Sequence, residues 1–227
     1  MKMNKKIIIV GVGETAELAL DYFRNDSEYE VAAFVAELTY LQKHPQLQTI
    51  DSVPVIALDS ILENYPPNKY QAFVAMSYVR LNHDRAKFYN LLKSMGYSFA
   101  SYVSSRIYVG SNVSIGENCF IFEDNILQRN VTIGDNVILW SGNHIGHRSV
   151  IKDHVFLSSH VAVSGFCVIE EYSFLGINSC VGDNVTIATE NFIGGGVTIM
   201  KDTKPGEIYR APIAKAERLK TNIVFGF

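Results

Sequence analysis

From Val103 to Ile199 an aliphatic residue stands at every sixth position: Val103, Val109, Ile115, Ile121, Leu127, Ile133, Leu139, Ile145, Ile151, Leu157, Val163, Ile169, Leu175, Val181, Ile187, Ile193 and Ile199. Seventeen successive positions hold Ile, Leu or Val without a slip in register. Two residues before each from Val109 on runs a second column, from Ile107 and Val113 to Val197, of small apolar residues, Ser or Asn. Neither the two-residue period of a half-buried strand nor the 3.6-residue period of a helix accounts for this. A six-residue repeat is the signature of a parallel β-helix, whose short strands turn corners and stack coil on coil. The aliphatic column then points into the shaft, and the small column gives the chain room to turn. Three hexapeptides close one triangular coil, so residues 18 apart are expected to stack. Gly110, Gly116, Gly134, Gly146, Gly176, Gly182 and Gly194 each follow an aliphatic residue. They are expected to relieve a corner of unusual φ. An antiparallel sheet with regular strands would not hold one phase over seventeen repeats.

The chain ahead of this repeat reads differently. Lys5–Val10 is an apolar run followed by Gly11-Val-Gly13, and Glu14–Phe23 carries Ala16, Leu18, Ala19, Tyr22 and Phe23 at helical spacing. A strand, a Gly-x-Gly turn and a helix present backbone N–H groups and the positive end of a helix dipole to a phosphate or nucleotide. Ala16 stands where the full dinucleotide fingerprint has its third glycine, so the motif fits a ligandless tight turn equally well. Glu14, at the helix start, would repel an anion unless it turns away or binds a hydroxyl. Tyr29–Ala36 reads as a second strand, and Glu37 at its end is a candidate for a ribose hydroxyl. Residues 38–51 are polar and read as loop, and Pro54 makes residues 53–56 an edge strand. Asp59 is placed to cap a helix over Ile61, Leu62 and Tyr65. Residues 70–76 read as a third strand, and residues 81–95 as a helix closed by Gly96.

The expected organisation is a small α/β domain with a parallel sheet over residues 1–98, a β-helix over 99–210 and a C-terminal tail over 211–227. The tail, with a short helix from Glu217 to Asn222, is expected to cover the open end of the solenoid. A net charge of −3 and the lack of a Lys/Arg run argue against nucleic acid as a partner. The apolar run at Ile7–Val12 is too short to span a membrane. Cys119 and Cys167 fall on the inward small column, and the spacing of the three cysteines fits neither a zinc site nor a disulfide framework. The expected setting is reducing and cytoplasmic.

Four of the six histidines, His144, His147, His154 and His160, fall within about one coil's length. His144 is an outward strand position; the other three lie at corners. They cannot all converge in one subunit. His147 follows Gly146 and stacks between Arg129 and Gly165. A glycine beside an imidazole leaves room for a ligand and an N–H for an oxyanion, and imidazole titrates where proton transfer needs it. His147 is therefore the leading candidate base. Asn125 and Asn143 stack inside as an amide ladder. Glu123 and Asp124, at a corner, are candidates to orient a histidine or hold a substrate amine.

These features resemble the hexapeptide-repeat acyltransferases that modify nucleotide-linked sugars, of the 4-amino-sugar N-acetyltransferase and sialic acid O-acetyltransferase type. The resemblance rests on Gly11-Val-Gly13, the hexapeptides, Asn143-His-Ile-Gly-His147 and Ala211-Pro-Ile-Ala-Lys215. It implies a left-handed β-helix, a sugar nucleotide held by the N-terminal domain at Gly11, Gly13, Glu14, Thr15 and Glu37, and acetyl-CoA between adjacent subunits of a homotrimer. It implies His147 as the base, Gly165 near the thioester, Ile177 and Gly195 along the CoA path, and Lys201 and Pro212 near the distal CoA phosphates or adenine. It implies a role in surface-glycan or O-antigen biosynthesis, with no metal and no membrane insertion. Two positions depart from the family pattern. Arg148 stands where relatives often carry an acid that orients the base, and Phe156 stands where some carry a further histidine, which His160 would have to replace. The rival readings are sugar O-acetylation, a zinc enzyme of the carbonic anhydrase type built on the histidines, and a non-catalytic trimeric scaffold.

Overall fold

The computed structural model of the chain describes residues 5–216 and 218–226; Glu217 of the expected tail helix lies outside them. The N-terminal part is a five-stranded sheet with helices on its faces. Its strands are β1 (Lys5–Val10), β2 (Tyr29–Ala36), β3 (Thr49–Ile50), β4 (Val53–Ala57) and β5 (Gln71–Val74), in the order β3-β4-β2-β1-β5. Pairing is parallel except between β3 and β4. Helices α1 (Glu14–Asn25), α2 (Leu38–Lys43), α3 (Ile61–Asn64) and α4 (His83–Ser94) connect the strands.

Four local expectations are corrected here. The polar stretch 38–51 is not all loop: it forms α2 and β3, whose side chains, Ile50 apart, are not buried and so leave no apolar pattern to read. Strand β4 is not an edge, because β3 pairs outside it and the Val55 N–H donates to Gln48 O at 2.8 Å. Asp59 makes no cap; it lies in a 3₁₀ turn over Leu58–Ser60 that leads into α3. Helix α4 starts at His83 rather than at 81, because Arg80, Leu81 and Asn82 are all left-handed, with φ of 50°, 51° and 69°. Its far end does close on glycine: Tyr97 N–H donates to Leu92 O and Gly96 N–H to Lys93 O, with Gly96 at φ +89°.

The remainder is a left-handed parallel β-helix. Two-residue strands run from Tyr102–Val103 to Thr198–Ile199, and those before the last coil pair in parallel with the strand 18 residues on, as Ile126 with His144 and Leu127 with Ile145. They build three flat sheets of a prism, with Leu127, Ile145, Val163 and their equivalents packed inside at zero exposure. The first coil has no neighbour below it, so Val109, expected inside, is 47% exposed.

The corners are turned by a feature the glycines did not announce. From Asn112 to Gly196, every sixth residue without exception has positive φ, and six of these fifteen are Asn. Asparagine tolerates this conformation better than other chiral residues. The glycines after the aliphatic column instead have ordinary φ and serve close approach. A Cβ on Gly110 would meet Arg129 N at 2.7 Å, and one on Gly176 would meet Gly195 N at 2.6 Å. They allow the coils to nest.

After Ile199 the chain makes a detour and returns as Ile208–Tyr209, which adds one more strand to the sheet that begins at Tyr102. In the detour, Asp202 Oδ1 accepts the Thr186 N–H at 2.8 Å and Thr203 Oγ1 accepts the Ala188 N–H at 2.8 Å. Tyr209 and Ala211 pack on the core at this end. The tail does not: Ile213 is 90% exposed, and helix α5 (Thr221–Phe225) buries no residue. The expected cap is thus the detour and Ala211, because a five-residue helix that buries nothing here covers no core.

One face of the prism docks the N-terminal sheet. Its outward residues are Tyr102, Phe120, Ile138, Phe156, Phe174 and Phe192, and the first five are buried in a core shared with Ile7, Phe23, Phe34 and Phe73. Asn118 Oδ1 accepts the Val74 N–H at 2.7 Å. Arg85 on α4 is fully buried at the seam and donates only to neutral acceptors: Ser77 O, Asn82 Oδ1, Asn136 O and Oδ1, His154 O and Val155 O. Desolvation with no carboxylate partner draws its guanidinium below the usual range.

Candidate active site

The parallel sheet opens a cavity of about 430 Å³ at the C-terminal ends of β1, β2 and β5. This is where open α/β sheets place ligands. Gly11, Gly13, Glu14, Thr15 and Glu37, the five candidates from the sequence, all line it. Gly11 is required by two constraints at once: its φ is +127°, and a Cβ would meet Ala75 O at 2.6 Å. Gly13 precedes α1 with open space above it. The first turn of α1 carries Glu14 and Glu17, and no Lys or Arg lines the cavity. Its other walls are largely apolar: Val35, Ala36, Tyr40, Leu58, Ala75, Met76, Val79 and Phe88. A flat ring suits such a slot better than a phosphate does. Glu37 stands at its mouth, 3.4 Å from Lys87 Nζ on α4. The aromatic and aliphatic walls escaped the sequence reading because Tyr40 lies in the stretch taken as loop, and the others lack a motif.

His147 lies on the prism edge opposite the docked face, exposed to solvent. Its ring occupies the space above Gly165, where a Cβ would meet Cε1 at 2.7 Å and Nε2 at 3.1 Å. Phe166 packs edge-on at 5.0 Å, and the Arg148 guanidinium lies 5.9 Å from the Phe166 ring. Gln128 Oε1 accepts the His147 backbone N–H at 2.9 Å and lies 3.2 Å from Nδ1. A hydrogen-bond acceptor for the ring thus lies one coil back, in a residue no motif marks.

The expected oxyanion donor is corrected. The Gly165 N–H is already committed to Asp183 Oδ1 at 2.9 Å. Its neighbours are committed too: Gly146 N–H to Val163 O, Arg148 N–H to Arg129 O, Ser164 N–H to Val181 O and Phe166 N–H to His147 O. Corner N–H groups in this fold are used to bind the coils, so Gly165 contributes space and not a free donor.

The remaining candidates divide by corner. Glu123, Asp124, His160, Ile177 and Gly195 share a different edge from His147. Glu123 accepts hydrogen bonds from Tyr22 at 2.8 Å and Ser141 at 2.7 Å, and so fastens α1 to the prism. Asp124 fills a left-handed corner position. The hydrogen bonds of Glu123 go to Tyr22 and Ser141 and not to a histidine. His160 is exposed with its ring over Gly142. Ile177 is 51% exposed and packs against Gly195. His144 faces outward, half-buried, between these two edges. Lys201 lies three coils along from His147 in register, and Pro212 is exposed in the tail. His154 is buried at the third edge, with Nδ1 2.9 Å from Asn136 Nδ2 and its ring against Tyr89 and Tyr172. Among the described residues, no three His, Cys, Asp or Glu side chains come together as a metal site requires, and no helix is long and apolar enough to cross a membrane.

Three solved structures share this architecture across nearly the whole chain. The acetyltransferase domain of PglB from Neisseria gonorrhoeae, in complex with acetyl coenzyme A, matches with a TM-score of 0.79 and 20% identity, covering 91% of this chain and 96% of that one. PerB from Caulobacter crescentus, in complex with CoA and GDP-perosamine, matches with a TM-score of 0.78 and 22% identity, covering 91% and 94%. This chain has the fold of the hexapeptide-repeat acetyltransferases. WeeI from Acinetobacter baumannii matches with a TM-score of 0.62 and 19% identity, covering 86% and 96%. At these identities, the acetyltransferase fold is what the likeness establishes. No protein-family model matches the chain, and no curated protein does.

Proposed function

We propose that the protein is an acetyl-CoA-dependent N-acetyltransferase that acts on the amine of a nucleotide-linked 4-amino-4,6-dideoxy sugar, in surface-glycan biosynthesis in the cytoplasm. The observation that carries this reading is the coexistence of two half-sites: an apolar slot on the N-terminal sheet, and an exposed histidine set over a glycine on the β-helix. Two proteins of the same fold have structures with acetyl coenzyme A, or with CoA and GDP-perosamine.

In this reading, the slot holds the nucleobase, with Gly11, Gly13, Glu14, Thr15 and Glu37 about the base and ribose. The sugar amine reaches His147. The amine nitrogen attacks the thioester carbonyl carbon, His147 takes the amine proton on Nε2, the carbon–sulfur bond breaks, and CoA leaves as the thiolate. Holding both reactants in one cleft supplies much of the rate, since effective molarities reach ~10⁵ M or more. The slot and His147 lie on opposite sides of one prism, so the sugar must reach the His147 of a second copy. A homotrimer supplies that cleft. In it, acetyl-CoA runs between the edge bearing His147, Gly165 and Lys201 and the neighbour's edge bearing Ile177 and Gly195, with Pro212 near its far end.

The test is thiol release from acetyl-CoA across a panel of nucleotide-linked 4-amino sugars, with mass spectrometry of the products. Gain of one acetyl group on one member supports the reading. No turnover by folded, trimeric protein on any amine acceptor, or turnover on hydroxyl acceptors alone, would overturn it.

A further inference from the structure

We propose that Gln128 is the positioning residue of the active site: its side-chain oxygen fixes His147 in the tautomer protonated on Nδ1 and leaves Nε2 free to accept a proton. The proposal rests on His147 being the base.

The assignment of the amide oxygen is decided by the backbone. The His147 N–H can only donate, so the Gln128 atom 2.9 Å from it must be the oxygen, not the NH₂. The same atom lies 3.2 Å from Nδ1. An amide oxygen only accepts, so Nδ1 must carry the proton. A neutral imidazole has one N–H, and its lone pair is then on Nε2. One oxygen thus holds the ring's angle and its tautomer together. During the reaction, Nε2 takes the amine proton while the Nδ1 proton remains bonded to Gln128.

The repeat explains why the side chain reaches. Gln128 occupies the position after the aliphatic column, which is glycine at seven of its seventeen repeats. At the equivalent Gly110, a Cβ would be aimed at Arg129 N, 2.7 Å away in the next coil. Gln128 is directed in the same sense, one coil on, toward His147 N. The opposite neighbour cannot serve. At other corners, the N–H at the position of His147 is taken by an acid 18 residues later, as Glu117 N–H by Asp135 at 2.9 Å and Gly165 N–H by Asp183. Position 165 is Gly, which has no side chain to offer, and the support must come from the coil before. The charged groups about the ring are Arg148 beside it, Arg129 one coil back and Asp183 two coils on; Asp183 is bound to Gly165 N–H. None supplies an acceptor to Nδ1. Gln128 is a neutral acceptor, which fixes the ring without placing a carboxylate beside it.

The experiment combines kinetics with a tautomer readout that needs no substrate. In ¹⁵N-histidine-labelled apo protein, with His147 assigned by loss of its signals in His147→Gln, the neutral ring should show protonated Nδ1 and unprotonated Nε2. In Gln128→Ala, it should shift toward the other tautomer. With acetyl-CoA and an accepted amino-sugar nucleotide, Gln128→Ala should lower kcat about tenfold to a hundredfold, the usual cost of losing a group that orients a functional histidine, with KM little changed. Gln128→Glu restores the acceptor. It should recover most of kcat and move the acid limb of the pH–rate profile upward, because a carboxylate favours the charged ring. An Nε2-protonated ring in the wild-type protein, or a tautomer unmoved by Gln128→Ala, overturns the proposal. So does a Gln128→Glu variant as slow as Gln128→Ala with an unshifted profile, which would mark Gln128 as merely structural. If the tautomer shifts as expected while His147→Ala keeps near-normal turnover, the base assignment fails and the positioning contact stands.

Discussion

His147 and His154 are seven residues apart in sequence and occupy different edges of one prism. His154 adopts the left-handed corner conformation, is 8% exposed, pairs with Asn136 and lies beneath Tyr89 from α4. His147 stands one step before a left-handed corner, is open to solvent, and has glycine on the next coil where its ring lies. The repeat treats both edges alike. What differs is the cover: Arg85 and Tyr89 close one edge, and nothing among the described residues closes the other. In a repetitive scaffold, a side chain is made available to a ligand by leaving part of the repeat bare.

Four measurements would break or sharpen that contrast, and the largest effect belongs to the bare edge. His147→Ala should cost about 10²- to 10⁴-fold in kcat, the usual contribution of a general base, with the thermal midpoint unchanged. His154→Ala should do the reverse, and a kinetic loss at His154 equal to that at His147 would end the distinction. Next is the seam. Arg85→Ala leaves several buried carbonyls without a donor and should cost about 2–4 kcal/mol in denaturant unfolding, whereas Arg80→Ala, at an exposed ion pair with Asp84, should cost under about 0.5 kcal/mol. Equal effects would mean that Arg85 does not hold the sheet to the prism. Third, Gly165→Ala forces the His147 ring aside and should lower kcat about tenfold, short of the 10²-fold reached by a misplacement of about 1 Å; unchanged kinetics would show that the ring position is not critical. The smallest effect is the pH dependence of the covered edge. Burial lowers the pKa of His154 from its ordinary value, opposed by Asp153 and aided by Arg85. The folded state then binds fewer protons than the unfolded one as pH falls through about 6.5. Stability should fall on acidification through that window, and His154→Gln should flatten the slope. A slope unaltered by the substitution would assign the acid sensitivity elsewhere.

The contrast was only partly legible in the sequence. The prism is written in one unbroken period because every coil must fill the same shaft, and Gly11 with Glu37 marked the slot because a strand end has few ways to meet a ligand. The docked face was also written, at triple the period: Tyr102, Phe120, Ile138, Phe156, Phe174 and Phe192 stand 18 apart, just before inward aliphatic residues. The asparagine column from Asn112 was visible in the same way. The Gln128–His147 contact was not, since it joins residues 19 apart through a side chain with no motif of its own. Helix α2 was hidden because a short surface helix has no buried stripe. The oxyanion assignment failed because it treated the Gly165 N–H as free, and only the stacking of coils reveals that Asp183 has claimed it.

The detour after Ile199 has a further consequence. The strand N–H groups of one coil donate to the coil that follows, so without the detour the last coil would present donors with no carbonyl above them. Such a row is a template on which another molecule could continue the thread, the hazard of any open strand edge. Asp202 and Thr203 place side-chain oxygens where the next carbonyls would come, over Thr186 and Ala188, and Lys201, Lys204 and Pro205 stand beside them. A pattern that could repeat without limit is thereby given a terminus over this sheet.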